Sequence, residues 1–228
     1  MKEVGYGAAW DAAAKKDAKT FILDSGKGKT SDEVFWSSGV TGANAFANMA
    51  RGKVVADYGC GIGRVLVPTA AVADKVYGLD VSGEMLTQCA SYTKELGNAE
   101  LYQVEGNGLI PLPDDSVDLV YSFLVLQHMR YFDVYRMLRE SKRILRPGGQ
   151  VLVTFPNLLH EAYSWGYRIG SQGDHKQSAT RMRYYTEDHA RFMLEDNGYE
   201  VEFLSDGYEA LSPGENLVLR GHSLDNSD

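Results

Sequence analysis

The chain has 228 residues, of which 44% are hydrophobic and 24% charged, and this is enough for one sizeable core. The formal net charge of −8 disfavours broad nucleic-acid binding, because such a surface repels a phosphate backbone. The first residues lack the apolar stretch of a signal peptide, and no apolar run reaches the roughly 20 residues of a membrane span. Two cysteines, Cys60 and Cys89, cannot make a disulfide framework. We therefore expect a cytoplasmic monomer or homodimer with no nucleic-acid partner and no membrane insertion.

The first 52 residues are predicted to be helical. An Ala-rich stretch predicts a helix over residues 10–24, and shorter helical pieces are expected around 32–36 and 42–50. We interpret residues 1–52 as a helical cap, or lid, over the rest of the chain.

From residue 53 onward, strands and helices alternate. Apolar stretches predict strands at 53–57, 76–79, 101–104, 117–123 and 151–155, and a closing hairpin from strands at 201–204 and 216–220. Helices are predicted to start near Arg64 and to be capped by Ser82 and Thr186. Pro147-Gly148-Gly149 predicts the turn before the fifth strand.

This alternation predicts an α/β fold, with a Rossmann-like, doubly wound, mostly parallel seven-stranded sheet and one antiparallel strand near the C-terminus. We assign residues 53–222 to this domain, 156–185 to a long loop inserted in it, and 223–228 to a flexible tail. Ligands of such sheets bind outside the carboxyl ends of the strands.

A glycine-rich segment follows the first predicted strand and reads DYGCGIGR from Asp57 to Arg64. Glycines there allow a tight turn and the close approach of a ligand. A dinucleotide-binding fingerprint would need a third glycine where Arg64 stands, which argues against a nicotinamide-dependent oxidoreductase. The Asp57 carboxylate is a poor neighbour for a pyrophosphate but suits a ligand that carries an ammonium and a sulfonium.

Five stretches in order resemble the class I S-adenosylmethionine (SAM)-dependent methyltransferases, specifically the small-molecule type (methyltransferase type 11) related to ubiquinone and menaquinone biosynthesis enzymes. They lie between residues 53 and 204 and read VVADYGCGIGR, VYGLDVSGEML, VEGNGLIPLPDDSVDLVYSFLVLQHM, LRESKRILRPGGQVLVTF and YYTEDHARFMLEDNGYEV. The resemblance implies that SAM is the cofactor and S-adenosylhomocysteine the product.

The resemblance also implies roles for individual residues. The glycines would lie against the methionine part of SAM, Asp80 would accept bonds from the ribose hydroxyls, and Asn107, where the family usually has Asp, would meet the adenine amino group. The implied cofactor-binding set is Asp57, Gly59, Cys60, Gly61, Gly63, Arg64, Asp80, Val81, Met85, Gly106, Asn107, Gly108 and Phe123, together with Tyr6 and Trp10 of the lid. For the glycines, a purely structural turn is the alternative interpretation.

The acceptor pocket is expected where the lid meets the segment 156–185, because long loops in compact domains are usually functional. The candidate acceptor-binding residues are Trp36, Tyr163, Arg181, Arg183 and Tyr184, with the arginines holding an anionic group. The candidate bases are His128, His160 and Glu161, in that order, although His128 is at least as easily a packed histidine. No histidines have metal-ligand spacing, so we expect no metal site.

These observations predict an enzyme that transfers a methyl group from SAM to an O, N or C atom of a small molecule. The motifs of base-amine, protein-arginine and catechol methyltransferases are missing after the fourth predicted strand, which favours another small-molecule acceptor. Two alternatives stay open besides the oxidoreductase: a SAM-binding regulator or complex subunit without catalysis, and an enzyme that transfers another group from SAM.

Overall fold

The structure of the protein is a computed structural model that describes residues 5–23, 29–170, 182–204 and 216–224. Among these residues, no helix combines the length and the apolar character that crossing a membrane requires. Arg181 and most of the predicted tail lie outside the described residues.

Eight helices and seven strands are described. The helices are α1 (Tyr6–Leu23), α2 (Asp32–Ala45), α3 (Ala47–Ala50), α4 (Leu66–Ala70), α5 (Gly83–Thr93), α6 (Tyr131–Ile144), α7 (Glu161–Gly170) and α8 (Glu187–Glu195). The strands are β1 (Val54–Tyr58), β2 (Lys75–Asp80), β3 (Ala99–Gln103), β4 (Val117–Ser122), β5 (Leu145–Pro156), β6 (Tyr199–Phe203) and β7 (Asn216–Ser223). A 3₁₀ turn, Leu126–His128, follows β4.

The seven strands form one sheet in the order β3-β2-β1-β4-β5-β7-β6. Neighbouring strands from β3 to β5 are parallel, and β7 pairs antiparallel with both β5 and β6. This arrangement confirms the predicted mostly parallel sheet with one antiparallel strand near the C-terminus. The strand order reverses between β1 and β4, so the carboxyl ends of these two strands border a crevice in which ligands bind.

Side chains alternate between the two faces of the sheet, and each face builds its own core. Ala56 and Tyr58 of β1 point into a cluster that α6 and α8 cover. Val55 of the same strand points into a second cluster, which is covered by α3, α4 and α5. Because both faces are covered, the central strands β1 and β4 are almost wholly buried.

Helix positions differ from the sequence prediction in the first third of the chain. Helix α1 begins at Tyr6, ahead of the predicted start, and is kinked at Asp17, whose carboxylate accepts bonds from the amide and hydroxyl of Thr20. Helix α2 is one 14-residue element where two short pieces are predicted. The Ser31 hydroxyl caps it by accepting the amide of Val34, and both glycines inside the helix, Gly39 and Gly42, are buried.

Two further differences lie around β5. The predicted turn Pro147-Gly148-Gly149 is part of strand β5, which accommodates it with a register shift opposite Val117 and Leu119 of β4. The sequence predicts a loop over 156–185, whereas α7 occupies its first half; the polar and aromatic residues there follow a helical repeat. The predicted caps Ser82 and Thr186 are both confirmed.

Candidate functional site

A cleft opens at the carboxyl ends of β1, β2 and β4, beneath helix α1. It contains about 700 Å³ of space that no protein atom occupies, counted to its open mouth. The floor is formed by Tyr58, Gly59 and Gly61 directly after β1, and the lid side by Tyr6, Trp10 and Ile22 of α1.

The glycine loop forms the bottom of the cleft. Two of its positions that line the cleft, Gly59 and Gly61, have backbone conformations that favour glycine. Gly59 has φ of +84°, and a Cβ there would lie 2.3 Å from Val125. Gly61 has φ of +54°, and a Cβ there would lie 2.9 Å from Ile22 of the lid. Amides of the loop also bond to the end of β2, since Gly59 and Cys60 both donate to the Leu79 carbonyl. The loop is therefore fixed, with its backbone open to a ligand.

Asp80 ends β2 and lines the same cleft. One carboxylate oxygen accepts a hydrogen bond from the backbone amide of Gly61, and the other accepts one from the backbone amide of Ser82, each at 2.8 Å. Burial raises the pKa of Asp80 to about 6, although these hydrogen bonds lower it. Each oxygen retains a further lone pair, so the oriented carboxylate can accept hydrogen bonds from a diol in the cleft.

Asp57 and Arg64 lie near each other below the glycine loop and do not line the cleft. Burial raises the pKa of Asp57 to about 8, against the opposing charge of Arg64. Burial likewise lowers the pKa of the Arg64 guanidinium, which donates to the Ser38 hydroxyl of α2 at 3.4 Å.

The remaining loop residues predicted to bind the cofactor have packing roles. Cys60 is buried, and contact with Cys89 together with burial raises the pKa of its thiol. A Cβ at Gly63 would lie 3.0 Å from the Cys89 sulfur, so the loop packs closely on α5. Neither Cys60 nor Gly63 lines the cleft.

One wall of the cleft is apolar and formed by Val81, Met85, Val104 and Gly106. Val104 is absent from the sequence-based set, although its place directly after β3 could have revealed it. Asn107 does not line the cleft: its amide oxygen accepts the backbone amide of Leu109 at 3.0 Å.

The rest of the Asn107 region packs on neighbouring side chains. The Asn107 side-chain nitrogen donates to Glu105, and a Cβ at Gly108 would lie 2.6 Å from the Asp133 carbonyl of α6. Gly108 therefore allows this segment to approach α6, and neither residue reaches the cleft.

The opposite wall follows β4 and contains Phe123, Leu124, Val125, His128 and Met129. Leu124 has φ of +62°, an uncommon conformation for leucine, and its amide donates to the Thr154 hydroxyl. The ring of His128 meets that of Trp10 edge-on, with centroids 5.0 Å apart. Of the predicted bases, His128 therefore lies at the cleft.

His160 and Glu161 lie at the start of α7 and do not line the cleft. The His160 ring is 6.4 Å from that of Tyr163, and its Nδ1 is buried without a partner in the described part of the chain. Glu161 is exposed.

The predicted acceptor-binding residues are divided between two places. Trp36 packs against Phe35 and Tyr92, away from the cleft. Tyr163 and Tyr184 pack together with centroids 5.7 Å apart, next to the 3₁₀ turn after β4. Arg183 joins this group to the cleft wall, because its guanidinium donates to the His128 carbonyl at 2.9 Å.

Helix α1 is held against the rest of the chain at two points. The Tyr6 hydroxyl donates a hydrogen bond to the Asp133 carboxylate at 3.0 Å and accepts one from the backbone amide of Arg130 at 2.7 Å. Asp11 accepts the hydroxyl of Ser82 at 2.6 Å and the amide of Glu84 at 3.1 Å. Asp11 is missing from the sequence-based set, since only tertiary structure shows that it meets the N-terminus of α5.

These features fit SAM. Gly59 and Gly61 line the cleft, Asp80 offers carboxylate oxygens for a ribose, and Val81, Met85 and Val104 offer an apolar surface for adenine. Phe123 and Trp10 surround the end of the cleft towards β4.

The sequence model of the methyltransferase-domain family matches residues 56–153. A malonyl-[acyl-carrier protein] O-methyltransferase from Erwinia billingiae is 36% identical over 119 residues, which cover 51% of this chain and 45% of that protein. The U6 snRNA (guanine-N(2))-methyltransferase THUMPD2 of Bos taurus is 32% identical over 144 residues, covering 58% of this chain and 28% of that protein. The chain thus spans less than half the length of either relative.

The fold has close counterparts among solved structures. Magnesium protoporphyrin IX methyltransferase from Synechocystis PCC 6803, solved with bound SAH, superposes with a TM-score of 0.69 at 16% identity, covering 95% of this chain and 97% of that one. At this identity the likeness concerns the fold alone. The matched residues 56–153 include the glycine loop, Asp80 and the β4 wall of the cleft. Residues 56–153 therefore match a methyltransferase domain, and the residues around the cleft fit SAM.

Proposed function

We propose that this chain is an active methyltransferase that transfers the methyl group of SAM to an O, N or C atom of a small molecule. The observation that carries the proposal is the position of Asp80, held by the amides of Gly61 and Ser82 beside an open glycine loop. A carboxylate fixed in this way selects a ribose diol rather than a phosphate, because two anionic groups would repel each other.

Bound SAM supplies a methyl group on a positively charged sulfur, which is already an activated leaving group. The residues of the chain then have to align an acceptor with that methyl and exclude water. Trp10 of the lid and Phe123 after β4 supply apolar surface for both tasks. If the acceptor is a hydroxyl, the His128 imidazole is positioned to receive its proton.

The methyl acceptor is proposed to bind against the packed rings of Tyr163 and Tyr184, here called the aromatic group. Arg183 lies between this aromatic group and the cleft. The net charge of −8 favours a small acceptor over an RNA. We also propose that residues 1–52 function as a lid on a catalytic domain of residues 53–222.

Calorimetric titration with S-adenosylhomocysteine tests the cofactor site. Asp80→Ala is expected to weaken binding at least about 100-fold, because two hydrogen bonds to a charged group are lost. Asp74→Ala is the matched control, since Asp74 is exposed and immediately precedes the other end of β2. A folded wild type that binds neither SAM nor S-adenosylhomocysteine would contradict the proposal.

The acceptor class is tested by measuring S-adenosylhomocysteine formation from SAM with a panel of small hydroxy, amino and carboxylic compounds and with structured RNA. Turnover with RNA alone would contradict a small-molecule acceptor. Tight cofactor binding with no turnover on either panel would favour a SAM-binding regulator or complex subunit.

A further inference from the structure

Arg183 is bonded to the wall of the cofactor cleft and adjoins the aromatic group. Its guanidinium donates a hydrogen bond to the His128 carbonyl at 2.9 Å, and its backbone amide donates one to the Gln127 carbonyl at 2.7 Å. Both carbonyls belong to the 3₁₀ turn after β4, and His128 lines the cleft. The next residue in the chain, Tyr184, contributes one ring of the aromatic group. A ligand on these rings would therefore bind close to a cation and to the cleft wall.

The aromatic group belongs to a larger set of tyrosine rings that solvent can reach. The Tyr167 ring packs edge-on against Tyr184 with centroids 5.9 Å apart, and the Tyr131 hydroxyl donates to the Tyr184 carbonyl at 3.3 Å. Tyr167 is 56% exposed and Tyr131 is 42% exposed, while Tyr163 and Tyr184 are half-buried. Such rings offer flat apolar surface on which a planar ligand can stack.

The positive charge of Arg183 acts on both sides of the 3₁₀ turn. Burial raises the pKa of the Tyr131 hydroxyl, and the Arg183 charge opposes that rise. The same charge opposes the raised pKa of the Tyr6 hydroxyl, which burial also causes, inside the cleft. Asp133, the carboxylate that bonds Tyr6, is itself paired with Arg130 at 2.7 Å. An anionic group on a ligand would therefore be attracted to the border between the cleft and the aromatic group.

An arginine beside stacked rings selects for two properties of a ligand at once. A guanidinium presents several N–H groups in one plane, and this arrangement matches the two oxygens of a carboxylate better than an ammonium does. The bond to the His128 carbonyl fixes the orientation of the Arg183 guanidinium. The rings favour a planar ligand, and the guanidinium favours one with a negative charge.

We propose that the methyl acceptor is an aromatic carboxylate, whose ring stacks on the aromatic group and whose carboxylate binds Arg183. This inference rests on the proposed function, since it names the acceptor class of the same site. Because Arg183 does not line the cleft, the carboxylate anchors the acceptor and another of its atoms receives the methyl group. The anchored carboxylate also stays outside the cleft that contains Asp80, which would repel it.

The test uses 2-naphthoate and 2-naphthamide, which share their rings and differ in charge. Equilibrium dialysis measures their binding to the protein saturated with S-adenosylhomocysteine, and we expect the wild type to bind 2-naphthoate about tenfold more tightly. Arg183→Gln should weaken 2-naphthoate binding about tenfold and leave 2-naphthamide binding unchanged. Arg183→Lys keeps the charge and should lose less. Arg139→Gln, at an exposed position of α6, is the matched control and should bind both ligands as the wild type does.

Tyr184→Ala separates the contribution of the rings from that of the charge. Because this variant removes a stacking surface and keeps Arg183, both ligands should bind about fivefold more weakly. Calorimetric titration with S-adenosylhomocysteine accompanies each variant, and its affinity should stay as in the wild type.

Three results would overturn the inference. Equal affinity of the wild type for the two ligands would show that the site has no preference for a carboxylate. An equal loss of both ligands in Arg183→Gln would mean that Arg183 only supports the 3₁₀ turn. Unchanged binding in Tyr184→Ala would remove the aromatic group from the acceptor site. Failure of the proposed function is distinguishable, because the wild type would then not bind S-adenosylhomocysteine at all.

Discussion

The Asp11 carboxylate accepts a hydrogen bond from the Ser82 hydroxyl at 2.6 Å. Ser82 is the N-cap of α5 and lies two residues after Asp80, so this bond joins α1 to the start of α5. The same carboxylate oxygen accepts the amide of Glu84 at the start of α5. Both hydrogen bonds lower the pKa of Asp11, so it is ionised at neutral pH and complements the positive end of the helix dipole. The position of the lid is therefore coupled to the backbone that orients Asp80.

Asp11→Ala is expected to loosen the lid and weaken S-adenosylhomocysteine binding roughly fivefold, the equivalent of about 1 kcal/mol for a partly exposed hydrogen bond. The dissociation rate, measured by stopped-flow fluorescence, should account for most of the change if α1 closes over the ligand as proposed. Asp11→Asn keeps an acceptor oxygen and should lose less. Equal dissociation rates in wild type and Asp11→Ala would show that this contact does not hold the lid.

A comparison of Gly61→Ala with Gly52→Ala separates the effect of the lid contact from backbone strain. Both glycines have positive φ, +54° and +65°, so each alanine costs about 1 kcal/mol of stability. A Cβ at Gly52 meets open space, whereas a Cβ at Gly61 lies 2.9 Å from Ile22 and projects into the cleft. In calorimetric titration, only Gly61→Ala should weaken S-adenosylhomocysteine binding, by about tenfold. Equal affinity in both variants would be inconsistent with a ligand on this loop.

Burial of Asp57 makes the free energy of unfolding fall as pH rises. Its pKa is raised from 3.8 in the unfolded chain to about 8 by burial, so the folded protein binds more protons than the unfolded chain between these values. The free energy of unfolding therefore falls as pH rises from about 4 to about 8, by at most about 1.4 kcal/mol per pH unit for this group.

Asp57→Asn should remove that slope, and the wild type should become less stable relative to the variant as pH rises through this range. Urea unfolding at pH 5, 6, 7 and 8 measures the difference. The exposed Asp74→Asn is the control and should run parallel to the wild type. A constant difference between wild type and Asp57→Asn would mean that Asp57 is ionised throughout.

Tryptophan fluorescence reports on the cleft through one of three tryptophans. Trp10 lines the cleft, Trp36 packs against Phe35 and Tyr92, and Trp165 is 65% exposed on α7. Binding of SAM should change the fluorescence of the wild type and of Trp36→Phe alike, and the change should vanish in Trp10→Phe. A signal that is lost in Trp36→Phe instead would place the ligand near α2.

Tyr184→Ala tests the acceptor side once an acceptor has been identified. The Tyr184 ring packs on Tyr163 and Tyr167 and does not line the cofactor cleft. The KM for the acceptor should rise about tenfold, with S-adenosylhomocysteine affinity unchanged. Tyr92→Ala, on the outer side of α5, should leave both quantities as in the wild type. A loss of cofactor affinity in Tyr184→Ala would assign the aromatic group to the cofactor side.

The sequence was sufficient for the sheet and for the residues at strand ends, because strand periodicity and glycine spacing are local signals. Asp80 and the loop at Gly59 and Gly61 are placed in the cleft by such local signals alone. Local signals did not suffice for Asn107. Its side-chain oxygen accepts a hydrogen bond from the Leu109 backbone amide, and a motif comparison does not reveal that this local bond competes with a bond to a ligand. Asp11 and Trp36 depend on how α1 and α2 dock on the domain, and helical periodicity does not specify that docking.

The position of β7 between β5 and β6 has a consequence for the order of assembly during synthesis. Among the residues that the structure describes, β6 pairs only with β7, so residues 199–203 join the sheet after residues 216–223 have left the ribosome. The parallel part of the sheet, which includes the glycine loop and Asp80, can assemble earlier, with the edge of β5 exposed in the meantime. The growing chain therefore has to protect that edge until the antiparallel strand arrives.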